Sequence, residues 1–249
     1  LRGMTLGALQ HHRLRFSQQR IRVQNTTELW DAFESLMKER PEDPECYTYS
    51  GEVLLWVGRY EEAEALFRQA LDKSYITIWT WIGLGAALGY QNRHDEALQA
   101  FLEGIEETRF EGPTLFVYRG EFLRKHGKIE QARNDLDTAV QHKPQRLSAW
   151  INRVLVDHAL GDPKPVQTLS AAIRRYCTGL WWDACAQAGT NPMSLDEQHS
   201  ALEAMLDMML GNRSSTILTY QPPGAPLRGI KWLAEYVPTS LIDRYRPKQ

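Results

Sequence analysis

At 249 residues, with 43% apolar and 24% charged residues, the chain has the composition of a folded protein rather than a disordered one. It is long enough to bury a substantial core as one large domain or an elongated array. No apolar run approaches the ~20 residues that cross a bilayer, which excludes a transmembrane helix. The formal charge of −2 hides a segregation. Residues 1–27 hold five arginines (Arg2, Arg13, Arg15, Arg20, Arg22) and no acid, and residues 224–249 hold five basic and two acidic residues, so the middle is strongly acidic. Such a field could steer charged partners; a solvated helix face is the plainer reading.

The three cysteines, Cys46, Cys177 and Cys185, are widely spaced, odd in number and form no CxxC pair. Buried thiols in a reducing compartment are expected, hence a cytoplasmic protein. The chain begins at Leu1 rather than Met. A trimmed N-terminus is therefore expected, and a native signal peptide is not excluded.

In chain order, residues 1–24 read as a helix of poor amphipathicity. Thr26 or Thr27 can cap a second helix running to Arg40, with Leu29, Trp30, Phe33, Leu36 and Met37 on one face. Pro41 and Pro44 stop it. From Pro44 the sequence repeats itself. Gly51, Gly85, Gly120 and Val154 recur at spacings of 34, 35 and 34, and three further columns keep that register. These are Ala63, Ala97, Ala132, Val166; Phe67, Phe101, Leu136, Ser170; and Ala70, Gly104, Ala139, Ile173. Gly58, Asn92, Gly127 and Gly161 mark the turn inside each repeat, where positive φ is expected. The glycine of the first helix (helix A) admits the alanine and phenylalanine of the second (helix B). One such hairpin leaves a face uncovered that the next must bury.

After the repeats, residues 166–189 read as one or two helices, apolar enough to cap the array. Residues 194–211 read as a clean helix capped at Ser194, with Leu195, Leu202, Met205, Leu206, Met209 and Leu210 as its apolar face. A loop with Pro222-Pro223-Gly224 and a short tail helix around Trp232 and Tyr236 complete the chain.

The patterns YTYSGEVL and WIGLGAAL, the second helices EEAEALFRQAL and DEALQAFLEGI, and Pro144 closing the third repeat resemble the tetratricopeptide repeat family. The resemblance is good over 44–146 and partial over 147–176, where Pro163 and Pro165 replace the usual start of helix B. It implies an all-α solenoid of helix-turn-helix repeats, with usual activity in binding other proteins. The organisation expected is N-terminal helices over 1–43, a degenerate repeat or a cap; repeats at 44–77, 78–111, 113–146 and 147–176; and capping helices with a tail over 177–249.

The resemblance also implies a concave groove lined by helix A. Position by position the candidates are Tyr49, Glu52 and Trp56; Trp79, Ile82 and Tyr90; Val117, Tyr118, Glu121 and Arg124; and Asn152. Aromatic anchors of this kind suit a protein or peptide segment. The lysine/asparagine clamp for chaperone tails is missing, since its places hold Thr48, Glu52, Gly83, Thr114 and Tyr118. The same aromatics equally fit a packed core, or a groove filled by the chain's own tail.

No catalytic constellation is present. The seven histidines form no ligand spacing, and phosphate-binding and nucleophile motifs are missing. His94, where the family usually has Tyr, reads as a packing residue. The expectation is a non-enzymatic adaptor or scaffold with no cofactor and no metal. A homo-oligomer built on the array ends or the tail is the alternative, and an enzyme with an unrecognised C-terminal site ranks behind it. The acidic middle argues against nucleic acid.

Overall fold

The structure is a computed structural model, and it describes residues 34–56, 58–73, 78–108 and 112–177 together with Asp196, His199, Glu203, Leu206 and Leu210. Expectations for residues 1–33, for most of 178–211 and for the tail lie outside the described residues. The described residues form helices, with no strand among them. Residues 34–39 are helical and bury Leu36. Asp43 then accepts the Glu45 backbone N–H on Oδ1 at 3.0 Å, and Pro44 takes the first helical position, where its missing N–H costs nothing.

Eight helices follow: α1 (Pro44–Trp56), α2 (Tyr60–Leu71), α3 (Ile78–Tyr90), α4 (His94–Glu107), α5 (Gly112–Lys125), α6 (Ile129–His142), α7 (Leu147–Ala159) and α8 (Pro165–Tyr176). They pair as four helix-turn-helix repeats. The four residues expected to turn each hairpin all adopt positive φ: Gly58 at 83°, Asn92 at 62°, Gly127 at 74° and Gly161 at 97°. Each lies in the left-handed region, which ends the helix and frees the chain to reverse.

Two compact units divide the chain, Leu1–Phe122 and Leu123–Gln249. In the first, α1 packs on α2, α2 on α3, α3 on α4, and α1 on α3. The contact rule is a ring set against a bare backbone. A Cβ added to Gly51 would lie 2.9 Å from Phe67 Cε1, and one added to Gly83 would come closer still to the same ring. Phe67 of α2 is therefore wedged between helix A of its own repeat and helix A of the next, with no exposure. Gly85 repeats the arrangement against Phe101, at 2.6 Å from Cζ. Leu54, Ala63, Leu84, Leu88 and Ala97 belong to the same core. A bond of 2.7 Å between the hydroxyls of Thr48 and Thr80 ties α1 to α3 inside that packing.

In the second unit α6 packs on α7 and α7 on α8. Ala132, Leu136, Ala139, Val154 and Ile173 hold the repeat columns and are fully buried. The two prolines at the fourth repeat do not abolish helix B: Pro165 sits in the first turn of α8, where proline is tolerated. This unit also buries a charged pair. Arg153 and Asp157, one turn apart on α7, are both buried and bonded at 3.2 Å. Arg153 also pairs with Asp137 of α6, and Arg133 of α6 approaches Asp157 at 3.7 Å.

Candidate functional site

The candidate surface in the first unit is built on the A helices α1, α3 and α5. α3, IWTWIGLGAALGY, carries no charged residue. Most of its side chains go inward, because neighbouring helices cover it: Ile78, Thr80, Trp81, Ile82, Leu84, Ala87 and Leu88 are buried. Trp79 is the exception near its start, 37% exposed. Its indole meets Tyr118 of α5 edge to face, with ring centroids 6.3 Å apart and planes at 80°. Two candidates from different repeats thus form one aromatic pair, in the orientation their ring quadrupoles favour.

Tyr49 and Glu52 of α1 and Glu121 of α5 are partly exposed. Ile82 and Val117 differ from the expectation. Ile82 belongs to the hydrophobic core, and Val117 is 2% exposed. An offset of one residue on a helix rotates a side chain by about 100°, enough to turn an apolar residue from a groove wall into the core. Tyr90 is exposed but serves another place. It lies at the end of α3 and stacks on Tyr60, which opens α2, at 4.8 Å with planes 12° apart. The side chain of Trp56 lies outside the described residues.

The remaining candidates belong to the second unit. Arg124 Nε donates to Asn152 Oδ1 at 3.1 Å, and Asn152 Nδ2 donates to the Ser148 carbonyl at 3.0 Å. Asn152 has no exposure, so its amide is engaged in holding Arg124 and the α7 backbone.

Two features lie outside the repeat columns. Tyr60 is the stacking partner just described. Glu64, nearly buried on α2, is the acceptor of a cluster spanning two repeats. It receives Arg68 Nε at 2.9 Å, Gln91 Nε2 at 2.8 Å and Arg93 Nη1 at 2.6 Å. Burial pushes its carboxyl up, but the hydrogen bonds from Gln91 and Arg68 and the charges of Arg93 and Arg68 outweigh that and hold it below the usual carboxylate value. A signal was present in the sequence. Arginine precedes glutamate by three residues at Arg59–Glu62 and again at Arg93–Glu96, and both pairs form in the structure, at 2.6 and 2.7 Å. His94, expected to pack, lies 6.0 Å from the Phe122 ring.

Helix-turn-helix hairpins stacked through ring-on-glycine contacts define the class of the protein, an all-α helical-repeat solenoid. Residues 45–106 match the family model described as tetratricopeptide repeat. Over that segment the chain is similar to the tetratricopeptide-repeat family, and the remaining residues lie outside the match. No curated protein matches it by sequence. Among solved structures it is similar to yeast Tom70 (14% identity, TM-score 0.57, covering 95% of this chain and 48% of that one). It is also similar to human IFIT1, solved as a dimer with m7Gppp-AAAA (15% identity, TM-score 0.52, covering 80% and 46%). A third is PilF of Pseudomonas aeruginosa (17% identity, TM-score 0.51, covering 86% and 90%). Likeness at this identity shows the fold alone. Repeats of this family generally serve as protein-interaction scaffolds. No helix among the described residues is long and apolar enough to cross a membrane.

Proposed function

We propose that the chain is a non-enzymatic adaptor, and that the helix-A surface around Trp79 and Tyr118 receives a protein or peptide segment. One observation carries the reading. Trp79 keeps over a third of its surface in water near the start of a helix that buries most of its apolar residues, and Tyr118 braces it. A large apolar ring held in place by a second ring has little conformational freedom to lose on binding, which is the property of an interface anchor. Tyr49, Glu52 and Glu121 are the flanking residues of this surface; Ile82 and Val117 support it from the core.

The test is a replacement of Tyr49, Trp79 and Tyr118 by alanine. Helical circular dichroism should persist while capture of the partner from native lysate is lost. A triple variant that captures the same partner as the wild type overturns the assignment. Replacing Leu102, exposed on helix B of the second repeat, serves as the control and should leave capture intact.

A further inference from the structure

We infer the chemistry of the partner, an inference that rests on the reading above: the helix-A surface of the first unit takes a polypeptide segment bearing lysine or arginine. Repeat spacing puts equivalent residues of the three A helices in register. Tyr49 and Glu52 on α1, Gly83 and Ala86 on α3, and Tyr118 and Glu121 on α5 occupy the same two positions, each pair three residues apart on one helix face. The hydroxyl bond between Thr48 and Thr80 sets α1 against α3, and the ring contact of Trp79 with Tyr118 sets α3 against α5. The middle helix is therefore bare where each outer helix carries a tyrosine followed by a glutamate. Trp79, one turn before Gly83, closes one end of the bare strip.

The core enforces the bare strip, since any side chain at Gly83 would run into the Phe67 ring. The charge along it has one sign. α3 carries no charged residue, and those of α1 are Glu45 and Glu52. Within the first unit α5 holds Arg119 and Glu121. Arg119 follows Tyr118 by one position, about 100° around the helix, and stands over the Phe116 ring at 5.3 Å from its centroid. Rings beside carboxylates suit a cation on an apolar stem. The stem lies along the bare strip, the charged head meets the ring faces, and a carboxylate accepts its N–H groups. Each glutamate already has a contact of its own, and a carboxylate's two oxygens offer about four acceptor sites, so a further donor has room. An acidic residue in the segment would meet like charge and be rejected.

The probe is a library of phage-displayed random peptides, selected on the full chain at low salt and read by sequencing. Peptides recovered on the wild type should be enriched in lysine and arginine over aspartate and glutamate. A synthetic copy of the most enriched peptide should bind the E52Q/E121Q variant about ten-fold or more weakly, from the loss of charge-assisted acceptors. Its binding to the wild type should also weaken with added salt. Glu121→Lys, at a partly exposed position, is the second variant and should turn the selection away from basic peptides. Two results overturn the inference and leave the reading beneath it standing, provided the alanine variant of Tyr49, Trp79 and Tyr118 does not bind the recovered peptides. One is a recovered set without a basic excess. The other is a basic set that binds E52Q/E121Q as tightly as the wild type. Peptides that bind the aromatic variant undiminished overturn reading and inference together, as does a wild type that selects none.

Discussion

Trp79 and Tyr118 touch edge to face across two repeats, 6.3 Å between centroids, although 39 positions separate them in the chain. Because Trp79 is partly exposed, Trp79→Ala removes more from a partner surface than from the fold. Its stability cost should stay below the about 3–5 kcal/mol of truncating a fully buried aromatic, read by chemical denaturation. Partner capture should fall by an order of magnitude or more, as for an interface anchor. A loss of several kcal/mol with capture retained would recast Trp79 as a core residue.

Gly85 is a harder constraint than its small size suggests. Any side chain there collides with the Phe101 ring, which is itself buried, so Gly85→Leu should cost about 1–3 kcal/mol through overpacking. Phe101→Leu in the same chain should recover part of that loss, because it vacates the colliding atoms. Independent, additive effects of the two substitutions would show that the helices do not meet there.

Glu64 makes the first two repeats acid-sensitive. Its folded carboxyl titrates below the unfolded one, so the stabilisation is fully present above the unfolded carboxylate pKa and is lost as pH falls through the folded value. Wild type and Glu64→Gln should therefore differ in midpoint at neutral pH and converge as the pH falls below the ordinary glutamate range. Thermal melts across that range read the convergence; parallel curves at all pH values would contradict it.

Arg153 and Asp157 test the opposite regime, a buried pair. Arg153→Ala leaves the buried Asp157 with the longer Arg133 contact in place of its own-helix partner and should cost up to about 3–5 kcal/mol. Replacing both residues by apolar ones of similar volume should cost much less, since neither charge then needs a partner. A double variant as unstable as the single one would assign the loss to Asp137 and Arg133, which share the network.

The repeat architecture was legible because its cause is local and periodic. A 34-residue period, a glycine where two helices close in, an alanine twelve and a phenylalanine sixteen residues on, and a left-handed turn residue are all written in the residues themselves. Gly51, Phe67, Gly85 and Phe101 meet as their columns imply, and Gly58, Asn92, Gly127 and Gly161 all turn the chain as expected. Which of the groove candidates keep exposure was not legible position by position. Tyr49, Trp79, Tyr118 and Glu121 keep some exposure, whereas Ile82, Val117 and Asn152 are interior.

The difference is physical. Sequence alone determined the helices, their turns and the packing columns, since those depend on φ preference and side-chain volume at fixed spacing. Which residues between the columns face water depends on how far each helix rotates against its neighbours, and that rotation is settled by contacts between repeats. Only the tertiary structure decided that Trp79 meets Tyr118, that Tyr90 turns to Tyr60, and that Glu64 gathers Gln91 and Arg93 from the next repeat. Each of these joins side chains about thirty or more residues apart, where no local rule reaches.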